Sequence, residues 1–361
     1  MDVRNRKILL LLLLLLPLFS LSAVAAAVEI PEALEKILPA ELLEVSHDHS
    51  QLLERSAQTL WDSVREKLSE LLRAGIYSAV RLTLAVLLCS AGMGAGKSIG
   101  SGAEQYAPFV GALVITALSA GDLHTLIGQG AETIEQLSAL SAMLLPTVAG
   151  AIAAGGYAGT AGAWQAATLI FSDFLMSLVR NLLLPLIYLY IGTVSAAAML
   201  KENSVRGIAA GIKKCIVWGL SGIVIVFTTF LSLSNMLTGA SDRMAVKVTR
   251  LAISNAVPVV GGILSDATES IFAGASLLRG TVGVLGVVAV LTVCLLPLLR
   301  LGIQYLFYKA AAFLSSIAGE SGLNRLVEDI GGAFGVVLGM TGACALLLIV
   351  ALFLSVTMVV I

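Results

Sequence analysis

The order of apolar and polar positions divides the chain into three parts. Arg4, Arg6 and Lys7 precede an uninterrupted aliphatic run, Ile8 to Leu16, and small residues follow, including Ala25-Ala26-Ala27. A basic start, a short apolar run and an A-x-A site predict a signal peptide over 1–27, or else an uncleaved first anchor. In both cases the basic end stays in the cytoplasm and residue 28 onward begins outside. Residues 28–75 form the long polar stretch. Within it Leu53, Leu60, Val64, Leu68 and Leu71 fall at helical spacing, with Glu54, Arg55, Asp62, Arg65, Glu66, Lys67 and Glu70 on the polar faces. This predicts an amphipathic, extracytoplasmic helix that binds a partner, lies on the membrane or packs against its own protein. Beyond residue 75 apolar runs dominate: about Ile76–Ala91, Pro108–Leu118 or further, Trp164–Leu200, 215–238 and 330–360.

The interruptions between these runs set the expected topology. Ala91-Gly92-Met93-Gly94-Ala95-Gly96-Lys97-Ser98 satisfies a permissive phosphate-loop pattern. That chemistry needs a strand before the loop and a helix N-terminus after it. Here a membrane-length run precedes, and Ile99-Gly100-Ser101-Gly102 is a poor helix start. A flexible glycine loop closing a hairpin over 76–136 is predicted instead, with Lys97 on the cytoplasmic side. Gly121 to Gln136 holds Asp122, Glu132 and Glu135 and no Lys or Arg, which predicts an outer loop. Residues 201–214 hold Lys201, Arg206, Lys213 and Lys214 against Glu202, which predicts a cytoplasmic one. Between the two, Trp164–Leu200 spans about 54 Å as a helix, too long for one pass of a core about 30 Å thick. Pro185 breaks or kinks it, giving either two half-crossings or one tilted, interrupted helix.

A repeat runs through the second half. Leu145-Pro146-Thr147-Val148-Ala149-Gly150 resembles Val257-Pro258-Val259-Val260-Gly261-Gly262, 112 positions later. Ala161-Gly162-Ala163 matches Ala273-Gly274-Ala275, and Leu183-Leu184-Pro185-Leu186 matches Leu295-Leu296-Pro297-Leu298, at the same offset. Two copies, 137–248 and 249–361, are therefore expected, each with proline- and glycine-broken helices. Paired broken helices expose backbone groups inside the membrane, which is tolerated where they line a cavity or are buried in protein. Pro146, Gly150, Pro185, Pro258, Gly261, Gly262 and Pro297 are thus candidate cavity positions, unless the prolines serve packing alone. Asp266 and Glu269, three apart, form either an acidic lining or an exposed face. Asp173 and Arg180, seven apart, share a face within an apolar run, where ionisable residues are functional candidates. Gly331, Gly335 and Gly339 permit close helix contact, either within the chain or across a homo-oligomer seam.

Composition supports a polytopic membrane bundle. The 361 residues are 58% hydrophobic and 12% charged, with 35 glycines and a mean hydropathy of +0.97. So few charges cannot cover a soluble surface of this size, whose norm is about 25%. A net charge of −1 disfavours a nucleic-acid partner. Cys89, Cys215, Cys294 and Cys344 lie in or beside different apolar segments and show no ligand spacing. His47-Asp48-His49 does not converge on one helical face. No nucleophile–base set or cofactor loop is recognisable, so no enzyme, cofactor or metal is expected. The fold class predicted is all-α: a helical membrane bundle with two internal repeats.

The stretch Ala256-Val257-Pro258-Val259-Val260-Gly261-Gly262-Ile263-Leu264-Ser265-Asp266-Ala267-Thr268-Glu269 resembles the stage III sporulation protein AE family of endospore-forming bacteria. Gly280-Thr281-Val282-Gly283-Val284-Leu285-Gly286, Leu295-Leu296-Pro297, Leu144-Leu145-Pro146 and Leu183-Leu184-Pro185-Leu186 fit it too. The similarity covers roughly 105–361. It implies a multi-pass protein of the mother-cell membrane, in a channel or feeding-tube complex that late forespore gene expression depends on. The implied partners are membrane lipid, the other proteins of the stage III A operon and stage II sporulation protein Q. No catalytic residues come with the resemblance. A secondary transporter for a small solute and a non-conducting scaffold remain the alternatives.

Overall fold

The computed structural model describes residues 49–99, 106–154, 158–200, 203–256, 261–317 and 322–357, and every regular element among them is helical. In chain order these are α1 (His49–Ile99), α2 (Ala107–Ala154), α3 (Ala158–Leu178), a π turn (Val179–Leu183), α4 (Leu184–Leu200), α5 (Asn203–Ala256), α6 (Gly261–Ser316) and α7 (Gly322–Thr357). Six helical segments are long and apolar enough to cross a membrane: Trp61–Gly94, Pro108–Ala154, Trp164–Leu200, Ser204–Phe230, Gly283–Ser316 and Gly322–Phe353. The signal peptide expected over 1–27 and the start of the polar stretch lie outside the described residues.

Two segments read as loops are helix. α1 continues without a break from the amphipathic stretch through Ala91–Ser98 to Ile99. Glycine costs about 1 kcal/mol per position in an exposed helix. Here the helix runs through that cost, continuing five residues past the apolar segment Trp61–Gly94. Gly121–Gln136 lies in the middle of α2. Its buried apolar positions, Leu123, Leu126, Ile127 and Ile134, follow a helical period, and Glu132 and Glu135 are exposed.

Neighbouring helices pair as antiparallel hairpins. In α1 and α2, Arg81 reaches Leu118, and Cys89 lies beside Gly111. In α6 and α7, Tyr308 faces Gly331, Tyr305 faces Gly335, Leu298 faces Gly342 and Leu352 faces Gly286, so one register holds from end to end. α7 is central and packs against every other helix. Its buried residues include Leu326, Val327, Ala333, Phe334, Val337, Met340, Cys344, Leu348 and Ala351. Phe171 of α3 stacks against Phe227 and Phe230 of α5, with ring centroids 5.4 and 5.5 Å apart.

The interrupted run from Trp164 to Leu200 is one antiparallel partner of α2, not two half-crossings. Arg180 pairs with Glu135 at 2.8 Å, and Thr116 donates to Ser195 at 3.2 Å, one contact within the π turn and one beyond it. Pro185 has no N–H, and its ring would strike the carbonyl four residues back. The chain widens just before it, and the Leu184 N–H donates to the Val179 carbonyl, five residues back. Pro297 sits inside α6 and Pro146 inside α2 with no such turn. At Pro146 the helix runs on to Ala154, and Thr147 Oγ1 donates to the Met143 carbonyl at 3.1 Å. The 112-residue offset pairs the α3–α4 run with α6 and α5 with α7, but the prolines it aligns differ in setting. The repeat stands as a pattern of the sequence.

Candidate functional site

Two groups of charged and polar side chains from different helices meet along the first half of α7. Asp122 of α2 is the centre of the first group. Its Oδ2 accepts from Tyr308 OH at 2.8 Å and from Gln304 Nε2 at 3.1 Å, both on α6. It also pairs with Arg81 of α1 at 3.5 Å. Arg81 donates a second bond to the Leu118 carbonyl at 2.7 Å, and its guanidinium lies 5.8 Å from the centre of the Tyr77 ring. Tyr308 and Gln304 are buried, whereas Arg81 and Asp122 are partly buried. One carboxylate thus binds three helices. A carboxylate in an apolar bundle is stable only when its lone pairs are engaged, and here a cation and two donors engage one oxygen.

The second group lies on a neighbouring face of α7. Tyr190 of α4 donates to the Asp329 carbonyl at 3.0 Å. Arg206 Nε of α5 lies 3.9 Å from Asp329 Oδ2, and Lys213 Nζ lies 5.8 Å from the Tyr190 ring centre. Lys309 and Glu328 close a further pair at 2.7 Å between α6 and α7. A cavity of about 640 Å³ opens between α4 and α5, lined by Tyr190, Arg206, Lys213, Lys214, Trp218 and Asp329 among others.

Adjacent glycines of α7 separate the two groups. A Cβ on Gly331 would lie 2.8 Å from Tyr308 Cβ, and one on Gly332 would lie 2.5 Å from Lys213 Nζ and 3.4 Å from Tyr190 OH. Consecutive helix positions point about 100° apart, so the pair clears space for both groups at one depth. Tyr308 completes the wall by an edge-on contact with Phe334 at 4.9 Å.

The positions named from sequence fall elsewhere. Pro146 and Gly150 are exposed on α2. Leu145, Val148, Ala149 and Ile152 take the buried stripe of that segment. Pro185 is exposed beside the π turn, and Pro297 is half-buried in α6. Pro258 lies outside the described residues, while Gly261, Gly262, Asp266 and Glu269 occupy the first turns of α6. Asp173 is exposed and Arg180 pairs with Glu135, not with Asp173. Gly331 and Gly335 pack on Tyr308 and Tyr305, and nothing lies within 4 Å of a Cβ on Gly339. Arg81, Gln304, Tyr308 and Tyr190 escaped the sequence reading. The available signal was a lone arginine five positions into the apolar run from Ile76.

A multi-pass helical membrane protein with a polar layer across its bundle is the class these features define. The family model described as Stage III sporulation protein AE matches residues 52–360, so the chain belongs to that family. It is 24% identical over 208 residues to the Stage III sporulation protein AE of Bacillus subtilis (strain 168), covering 57% of this chain and 52% of that one. The chain thus matches about half the length of that curated relative. No solved structure matches it.

Proposed function

We propose that this chain is a non-enzymatic, multi-pass component of the mother-cell membrane, within the channel complex that links mother cell and forespore. The family match across 52–360 on a chain with six membrane-length segments carries this reading. In it, the end bearing Arg206, Lys213 and Lys214 faces the mother-cell cytoplasm, as the bias of basic residues requires. The first span, Trp61–Gly94, then begins on the far side, toward the forespore, and the polar stretch before it is available there to the stage III A operon proteins and stage II sporulation protein Q. Deleting the gene in its endospore-forming host and following a late forespore reporter tests the role. Loss of the reporter, restored by the intact gene, is expected. Normal late expression in the deletion strain overturns the reading.

One observation favours a second reading, a permease for a small solute. Arg81 and Asp122 form a charged pair inside membrane-length helices, and such pairs mark ion or solute paths in many carriers. Solute or ion flux from purified protein in liposomes, abolished by Asp122→Asn, would support it over the channel-component reading.

A further inference from the structure

We infer that the cleft between α4 and α5 holds the phosphate headgroup of an anionic phospholipid. The cleft has a volume of about 640 Å³ and carries Arg206, Lys213 and Lys214 against one carboxylate, Asp329. Its lining is therefore cationic by two charges. The Arg206–Asp329 contact, at 3.9 Å, is longer than a hydrogen bond. Phosphate oxygens match such a set, because guanidinium and ammonium groups give them short, charge-assisted hydrogen bonds.

The position of the cleft selects a lipid over a soluble anion. Arg206, Lys213 and Lys214 lie within the first twelve residues of α5, in the first half of the membrane-length segment Ser204–Phe230. One turn further in, Trp218 is 81% exposed, and Ile225 and Val226 continue the same exposed, apolar surface. An indole at the level of the headgroups with aliphatic residues beyond it is the arrangement of a membrane interface. A headgroup in the cleft therefore has its acyl chains directed along α5, on surface that already faces hydrocarbon. Basic pockets between membrane helices on the cytoplasmic side bind anionic headgroups in this way.

Native mass spectrometry of the full chain tests this, with phosphatidylglycerol, phosphatidylcholine and inorganic phosphate as probes. Wild-type protein is expected to retain one phosphatidylglycerol through a saturable step and to retain phosphatidylcholine at least tenfold more weakly. Lys213→Gln with Lys214→Gln lowers phosphatidylglycerol affinity at least tenfold, while arginine at both positions preserves it. Arg65→Gln with Lys67→Gln, which removes two exposed charges from α1, leaves it unchanged. If the double lysine variant fails to fold, Lys214→Gln alone is read instead, since that side chain is exposed; a loss of about threefold is expected. Equal retention of phosphatidylglycerol by wild-type and glutamine variants overturns the site, and so does equal loss in the α1 control. Displacement of the lipid by millimolar inorganic phosphate overturns the lipid assignment and makes the cleft a soluble-anion site.

Discussion

The two ends of the α6–α7 hairpin are held together by different physics. At the start of α7, specificity comes from charge: Asp122 gathers donors from α1 and α6, and Tyr190 and Arg206 reach the Asp329 region. At the other end, Leu144, Gly286 and Leu352 meet with no polar atom involved, and Cys344, Leu347, Leu348 and Ala351 fill the same region. In a bilayer the apolar end gains little from excluding water, because lipid tails are as apolar as leucine; close packing is its main term. The polar end has an additional one, since a partly buried charge there is costly once its partner is removed. Position in this family member's bundle is therefore dictated more sharply by the few polar contacts than by the many apolar ones.

The sharpest way to break that comparison is Asp122→Ala. It leaves Arg81, Gln304 and Tyr308 without their shared acceptor, and a loss of about 3 kcal/mol is expected for an unpaired, mostly buried cation. Thermal unfolding in detergent micelles measures it. Leu352→Ala at the apolar end is expected to cost less, about 1–2 kcal/mol, because mainly packing is lost. Equal costs would remove the distinction between the ends. Adding Arg81→Gln to Asp122→Asn recovers most of the lost stability if the charge, not the shape, is responsible.

Gly331→Leu comes next. Its side chain would enter the space of Tyr308 Cβ, and overpacking of this kind costs about 1–3 kcal/mol. The same unfolding assay reads it, and a loss of the Tyr308–Asp122 contact should make this substitution non-additive with Asp122→Ala. Pro185→Ala has a smaller effect on stability but a defined effect on register. With an N–H restored, the i→i−4 ladder can close over Val179–Leu183 and rotate α3 against α4. Cysteines placed at Glu135 and Arg180 are then expected to cross-link more slowly in the Pro185→Ala background. The smallest effect is expected for Gly339→Ala. Nothing lies within 4 Å of the new methyl group, so helix propensity gives a gain of up to about 1 kcal/mol. A destabilisation there would show that a surface outside this chain uses that glycine.

Much of the architecture was legible in the residues. The apolar runs announced a helical membrane bundle, Pro185 announced a disturbed helix, and the basic residues at 201–214 announced one end of it. The polar layer was not legible, for a physical reason. Asp122 sits among acids and glycines that look like a loop when read in order, and its partners Gln304 and Tyr308 stand 182 and 186 positions away. Only folding brings a carboxylate to them. The surroundings of the prolines were not legible either. Pro146 lies on the surface of α2 because the buried stripe passes through its neighbours, and a missing N–H alone does not open a space.

The paired glycines of α7 carry a mechanical consequence. A shift of that helix by one residue, about 1.5 Å along its axis, would bring Ile330 against Tyr308 in one direction, or Ala333 against Lys213 in the other, in place of a bare backbone. Both flanks of the molecule are therefore keyed to the same notch, and neither can be repositioned without moving the other.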